Sequence, residues 1–423
     1  MRIEQQPLVV PSPTDLHQQV SEMIDWLATY GGQGEHGDHG VTRTLYSPAW
    51  QAAQSALEHC MREGGLIPRY DDVGNLFGRL SGTEQDGRVI LTGSHLDTVV
   101  DGGKYDGAYG IIASFIAVRY LKEHYGTPRR SIEVVSLCEE EGSRFPMTYW
   151  GSGSMTGIRD MQQVEGIADA EGISFREAMG QAGFGMGIHP SPRRDDLECF
   201  IELHVEQGEV LEREGQSIGL VSHIVGQRRY EVTVSGESNH AGTTPMEWRR
   251  DALLTAAELI RLVGEWAKRQ GDGLVATVGR MEIHPNVGNV IAREVTFSLD
   301  VRHPDAEVIR QFCEALFIEW KKIAAAQGTT LTYHKWMDED PVAMSETLAS
   351  KAQMILARQG ISHRRMTSGA GHDSQVFGTY CPTSLLFVPS HLGISHSPRE
   401  FTGTDELVCG VRLLIELLYE LAY

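Results

Sequence analysis

From Arg88 onward the chain alternates short, unbroken apolar runs with longer helical patterns: RVILTGSH, then AYGIIASFIAVRYLKEHY, then SIEVVSLC. Runs of that kind bounded by helical patterns are the βαβ rhythm of an α/β core built around a buried sheet. Around Val221 the texture changes to paired strand-like runs, RRYEVTVSG, VATVGRMEIHP and EVTFSLDVRH, with helical patterns over Asp251 to Arg269 and Asp305 to Ala325. That stretch reads as a separate α+β unit. After Trp336 the core texture returns, with a helix near Leu348 to Arg358, the apolar run TSLLFVPS and a closing amphipathic helix from Asp405 to Leu421. The expected organisation is a discontinuous domain, 1–220 with 337–423, interrupted by an inserted unit over 221–336.

At 423 residues the chain is long enough for two or three domains, and 41% hydrophobic with 22% charged residues is ordinary globular usage with a sizeable core. The net charge of −20 repels phosphate backbones and anionic lipid heads, which argues against nucleic acid and membrane partners. The longest mainly apolar stretch, Gly110 to Val118, is about half of what a bilayer requires, and the opening MRIEQQPLVVPSPTDL has no export-signal core. A soluble, cytoplasmic protein is expected. The six cysteines are dispersed without a CxxC pair and read as reduced packing residues. The Gly-rich stretch Gly151-Ser-Gly153-Ser-Met-Thr-Gly157 misses the GxGxxG spacing by one residue and no GxxxxGK[ST] occurs, so nucleotide binding has little support.

Open α/β sheets place their sites beyond the carboxyl ends of the strands, and four apolar runs here lead into polar residues. VILTG ends in Ser94-His95-Leu96-Asp97, with Asp106 eleven residues after His95 in the loop GGKYDGAYG. SIEVVSLC ends in Glu139-Glu140-Glu141; CFIEL ends in His204-Val205-Glu206-Gln207; SLLFVPS leads into HLGISH, ending at His396. Each alone has a plain structural reading, as a strand-end pair, a turn residue or a solvated acidic edge. Together they point elsewhere, because adjacent carboxylates behind a buried strand repel one another unless a proton or cation neutralises them. Imidazoles and carboxylates suit Zn²⁺ or Mn²⁺, and three histidines with two carboxylates can hold two ions if one carboxylate bridges. With Glu139 beside Glu140, one carboxylate can ligate while the other takes a proton from a water that the ions acidify. This constellation predicts metal-assisted hydrolysis.

The segments GSHLDTVVDGGKYDG, EEEGSRFP, ELHVEQG, VGQRRY, GESNHAGTTPM, SGAGHD and GISHSP, spread over residues 93–398, resemble the carbamoylase branch of the two-metal aminoacylase/carboxypeptidase clan. The resemblance implies a two-metal exopeptidase-like catalytic domain with an inserted α+β, ferredoxin-like dimerisation domain. It also implies two divalent ions per subunit, Mn²⁺ or Zn²⁺ with Co²⁺ or Ni²⁺ tolerated. His95, Asp106 and His204 would hold one, and Asp106, Glu140 and His396 the other. Asp97 would orient His95, and Glu139 would be the general base. The implied substrate is a small ureido carboxylate: allantoate first, an N-carbamoyl-L-amino acid or β-ureido acid as the alternative. An aminopeptidase and a catalytically silent relative are the other readings; HVEQG, GQRRY and NHAGTTPM count against the first and Glu139 against the second.

From the inserted unit, the resemblance implies that His240 stabilises the oxyanion, reaching across a homodimer, and that Gln227 and Asn289 bind substrate, as does Gln207 of the catalytic domain. Gly369, Ala370 and His372 would form part of the pocket wall. Arg302 sits on the polar face of a strand whose Phe297, Leu299 and Val301 alternate inward, where it could bind a substrate carboxylate or simply pair with Asp300. The chain departs from the family pattern after Asn289, where NVIPG is replaced by Asn289-Val290-Ile291-Ala292-Arg293. Hinges near Ser222 and Trp336 are expected to carry domain closure.

Overall fold

The computed structural model describes residue 8 and residues 10–32, 40–84 and 87–423. Residues 1–7, part of the opening stretch read for an export signal, lie outside the described residues. The chain divides into two compact units, Met1–Ser222 with Ala343–Tyr423, and His223–Val342. In chain order the strands are β1 (Ile67–Tyr70), β2 (Leu76–Leu80), β3 (Val89–His95), β4 (Ser131–Leu137), β5 (Leu197–Val205), β6 (Ile218–Ile224), β7 (Gly226–Ser235), β8 (Val275–Thr277), β9 (Met281–His284), β10 (Glu294–His303), β11 (Thr330–Glu339), β12 (Val342–Ala343), β13 (His363–Ser368) and β14 (Thr383–Val388).

The first unit is a sheet of order β1-β2-β4-β3-β5-β14-β6-β12, with β13 alongside β6. Its centre, β4-β3-β5-β14, is parallel, and β2 and β6 join that centre antiparallel. Every residue of β3, β4 and β14 is buried, which is why these strands read as unbroken apolar runs. Alternate side chains enter two cores. Ile90, Ile132 and Val134 join the large core with Ile112 and Ile116 of the helix Ala108–Tyr125 and Val411 and Leu414 of the helix Thr404–Ala422. Leu91, Val135 and Leu137 join a smaller one with Met155, Phe200 and Phe377. The four central parallel strands all end on one side of the sheet, at His95, Leu137, Val205 and Val388, and each is followed by one of the four polar segments.

The second unit is an antiparallel sheet of order β11-β7-β10-β8, with β9 also on β10. Two amphipathic helices, Ala252–Gln270 and Ala306–Ala326, cover its apolar face, each opened by an aspartate, Asp251 and Asp305, that accepts N–H groups of its first turn. With β8 and β9 taken as one interrupted strand, the β-α-β-β-α-β succession and strand order are ferredoxin-like. In β10 the burial alternates without a break, Val295, Phe297, Leu299 and Val301 facing the helices.

The return crossing differs from the expected one. Trp336 lies inside β11, whose pairing with β7 runs from Thr330 to Glu339 through a register shift between Lys335 and Met337, and the second unit ends at Val342. The bulge breaks the two-residue alternation and leaves Trp336 exposed, so the strand pattern fades there although the strand continues. No helix among the described residues is long and apolar enough to cross a membrane.

Candidate metal centre

His95 is the last residue of β3 and only 2% exposed. Its Nδ1 lies 3.0 Å from the backbone oxygen of Asp97, which can only accept, so Nδ1 carries a hydrogen and Nε2 faces Asp106 Oδ1 at 3.5 Å. His204 repeats this arrangement. Its Nδ1 donates to Val205 O at 2.9 Å, and Nε2 faces Asp106 Oδ1 at 3.1 Å and the Gly107 N–H at 3.2 Å. His396, beyond β14, aims Nε2 at the other oxygen, Asp106 Oδ2, at 3.3 Å. Three imidazole nitrogens thus converge on the two oxygens of one buried carboxylate.

Gly107 makes this approach possible. Its φ is +64°, and a Cβ there would lie 2.5 Å from the His95 ring. The helix Ala108–Tyr125 starts immediately after it, so the only residue between helix and Asp106 is one without a side chain. Gln207 and His396 both adopt positive φ, +57° and +53°, local strain of a kind that collects at functional sites.

Such geometry demands positive charge between the partners. Without an ion, protons must supply it. Burial lowers the His95 pKa, but Asp106 and Asp97 more than offset this and hold it well above the ordinary value; His204 is raised in the same way, and Asp106 pushes His396 up to about 9. Burial would raise Asp106, yet His204, His396 and His95 hold it well below the usual carboxylate range. A divalent cation satisfies the same donors without extra protons. Two triplets have ligand atoms within 4.8 Å of one another and share Asp106: His95, Asp106 and His204, and Asp106, Glu141 and His396. Glu141 Oε1 is buried without a hydrogen-bond partner, a vacancy that suits a cation.

The second triplet differs from the expected ligand set. Glu141, whose Oε2 lies 3.5 Å from His396 Nε2, stands where Glu140 was expected; Glu140 is in neither triplet. The chain leaves regular strand geometry at Leu137, so side-chain alternation no longer says which of three successive glutamates turns inward. Asp97 anchors this run, its Oδ1 accepting the Glu140 N–H at 2.9 Å and its Oδ2 the Glu141 N–H at 3.0 Å. Glu139 is 1% exposed, with Oε1 accepting the Gly142 N–H, and burial with Asp97 beside it pushes its carboxyl well up. Glu140 is half-buried; burial raises its carboxyl well above the ordinary range, with His95 pulling against this and Glu141 and Asp373 adding to it.

Gln207 comes to the centre itself, Nε2 donating to Asp106 Oδ2 at 2.9 Å. His372 is buried against the His204 ring, centroids 4.6 Å apart, with Nε2 unpartnered, and burial and His204 lower its pKa well below the usual value. Gly369 and Ala370 lie in a turn closed by Ser368 Oγ, which donates to Ala370 O and accepts its N–H. A third group, Glu202, His204 and His372, also has ligand atoms within 4.8 Å. Both Glu202 oxygens are already occupied by Ser94 Oγ and by the Ser374 N–H and Oγ, so it serves as hydrogen-bonded backing. Sequence reasoning missed Glu202, although it shares a strand face with His204 two residues on.

In the second unit the candidates fall into two pairs. Gln227 and Arg302 are directly opposed in the β7–β10 ladder; Gln227 Nε2 donates to Glu339, and Arg302 grips Asp300 through Nε and Nη2 at 3.0 and 2.9 Å. His240 and Asn289 meet where His240 bridges Val290 and the Ala241 N–H donates to Asn289 O. β10 begins at Glu294; just before it the Arg293 N–H donates to His284 O and its own oxygen accepts the Gly236 N–H, while Ala292 O accepts the Ala252 N–H. The residues that replace the proline and glycine of NVIPG therefore lie just outside the strand, with Ala292 buried and Arg293 exposed.

A sheet whose parallel strand ends gather three histidines and a glutamate about one aspartate presents the donor set of a hydrolase with candidate metal sites. The chain belongs to peptidase family M20/M25/M40, whose pattern matches residues 91–420. It is 48% identical over 404 residues to the allantoate amidohydrolase of Bacillus subtilis (96% of this chain, 97% of that protein) and 45% over 410 residues to that of Escherichia coli (97% and 99%). It is 37% identical over 398 residues to an N-carbamoyl-L-amino acid amidohydrolase of Geobacillus stearothermophilus (94% and 97%). Among solved structures, a hydantoinase/carbamoylase-family amidase from Burkholderia multivorans matches with a TM-score of 0.90 at 34% identity, covering 96% of this chain and 97% of that one.

Proposed function

We propose that the chain is a metal-dependent amidohydrolase that hydrolyses the ureido group of allantoate to ureidoglycine, ammonia and CO₂. The observation that carries the chemistry is the convergence of three imidazole Nε2 atoms on the two oxygens of Asp106. The end-to-end match to two bacterial allantoate amidohydrolases supports the substrate. Two divalent ions, Mn²⁺ or Zn²⁺, are assigned to the two triplets, where they would polarise the ureido carbonyl and acidify a water.

Asp97 keeps the His95 ring turned and the glutamate run in place. With Glu141 as ligand, the proton carrier moves to the adjacent Glu140. Glu139 is closed in by Gly142 and Asp97, whereas Glu140 is half-buried among His95, Glu141 and Asp373. A carboxylate with a raised pKa is suited to taking a proton from the water and returning it to the leaving nitrogen.

Substrate binding is assigned to Arg302, Gln227, His240 and Asn289. Eight residues along each strand separate Gln227 and Arg302 from the Ser235–Glu294 end of the strand pair that leads to His240 and Asn289, about 26 Å at roughly 3.3 Å per residue. One small substrate cannot span that length. A homodimer in which one subunit supplies Arg302 and its partner supplies His240 resolves the difficulty. All six cysteines are unpaired, in keeping with the proposed cytoplasmic location.

The test is ammonia release by the purified, Mn²⁺-reconstituted protein offered allantoate and a panel of N-carbamoyl-L-amino acids. Turnover of allantoate far above the panel is expected. Preference for the panel would keep the site and replace the substrate.

A further inference from the structure

Glu400 is 5% exposed and lies four residues beyond His396, yet it belongs to neither triplet. Its oxygens are divided between two loops. Oε2 accepts the N–H groups of Tyr105 at 2.9 Å and Asp106 at 3.2 Å, and Oε1 receives Ser395 Oγ at 3.2 Å. Ser395 Oγ in turn lies 3.4 Å from Asp106 Oδ2, and Gln207 Nε2 donates to both Ser395 Oγ and Asp106 Oδ2, at 3.1 and 2.9 Å. The circuit therefore closes through Gln207: Asp106 backbone, Glu400, Ser395, Gln207, Asp106 carboxylate. Gly103 permits it, since a Cβ there would stand 1.9 Å from Glu400 Oε2.

We propose that Glu400 is the positioning residue of the shared aspartate, holding the Asp106 loop and the Ser395–His396 loop in one register so that Oδ1 faces His95 and His204 while Oδ2 faces His396. The inference rests on the reading of Asp106 as the ligand common to two ions. A shared carboxylate must present both oxygens at once, and a side chain free to rotate would serve one site at the other's expense. Glu400 fixes the main chain, and Ser395, itself held by Glu400, anchors the Gln207 amide that fixes the carboxylate.

The test uses metal-free protein titrated with Co²⁺ alone, followed by calorimetry and by the visible absorption of the bound ion. Wild type is expected to bind two ions. Glu400→Ala is expected to fold, by circular dichroism, but to bind Co²⁺ about 10- to 100-fold more weakly with an altered absorption spectrum, the range typical of residues that orient metal ligands. Glu400→Gln is expected to recover most of the affinity, because its amide oxygen can accept both N–H groups while its NH₂ donates to Ser395. A merely structural role would leave the Co²⁺ spectrum of folded Glu400→Ala unchanged, and that result overturns the proposal. So does a Gln variant as weak as Ala. If Glu400→Ala does not fold, Ser395→Ala cuts the same circuit; weaker binding supports the proposal and a wild-type isotherm overturns it. Absence of binding by wild type would instead overturn the metal reading itself, and this inference with it.

Discussion

The carboxylate of Asp97 binds the backbone of Glu141, Oδ2 accepting its N–H at 3.0 Å, while Oδ1 takes the N–H of Glu140 at 2.9 Å. The residue two places after His95 therefore sets the height of Glu141. Asp97→Ala would strand two N–H groups, at about 1–3 kcal/mol each, and remove the carboxylate 3.4 Å from His95 Nδ1, leaving the ring held by the backbone oxygen of residue 97. Metal content after dialysis is expected to fall together with activity; a variant retaining wild-type metal content would remove this role.

Glu140→Gln is expected to keep its metal content and lose roughly 100- to 10,000-fold in kcat, the usual worth of a positioned proton carrier. Glu139→Gln is expected to be milder. Steady-state kinetics on both variants decides the order, and full activity in Glu140→Gln would return the role to Glu139.

Gly107→Ala places a methyl group 2.5 Å from the His95 ring in a conformation that side chains rarely adopt. The backbone term alone costs about 1–2 kcal/mol. Lower thermal stability and weaker metal binding are expected together; a variant with unaltered metal affinity would show that the ring can move aside freely.

The separation of Arg302 from His240 along the β7–β10 ladder gives a complementation test. Arg302→Ala and His240→Ala are each expected to be nearly inactive, while a co-expressed mixture should regain about a quarter of wild-type activity, half of the dimers being mixed with one intact site each. A mixture as inactive as its parents would place both residues in one subunit's site.

Much of this molecule was legible in the chain because burial on both faces writes itself as unbroken apolar runs. VILTGSH, SIEVVSL and TSLLFV gave away β3, β4 and β14, and with them His95 and the approach to His396. What was hidden depends on chain geometry after a strand ends. EEEG offers three equivalent carboxylates, and it is the turn held by Asp97 that brings Glu141 to His396. Glu400 was hidden for another reason. Its partners Tyr105 and Asp106 lie almost 300 positions away, and a backbone N–H leaves no trace in a sequence. Arg43 is a third case, a buried guanidinium bound to the carbonyls of Leu27, Tyr30 and Leu96. Trp336 misled because a bulge interrupts the alternation of β11.

The central claim is that hydrolysis of allantoate runs on ions shared by Asp106. It is tested by stripping the protein with a chelator and following ammonia release from allantoate as Mn²⁺ is added back in measured equivalents. The stripped protein is expected to be silent, with activity rising to a plateau at two equivalents per subunit and no recovery in Asp106→Ala. Full activity in the stripped protein, or normal recovery in Asp106→Ala, would contradict the account.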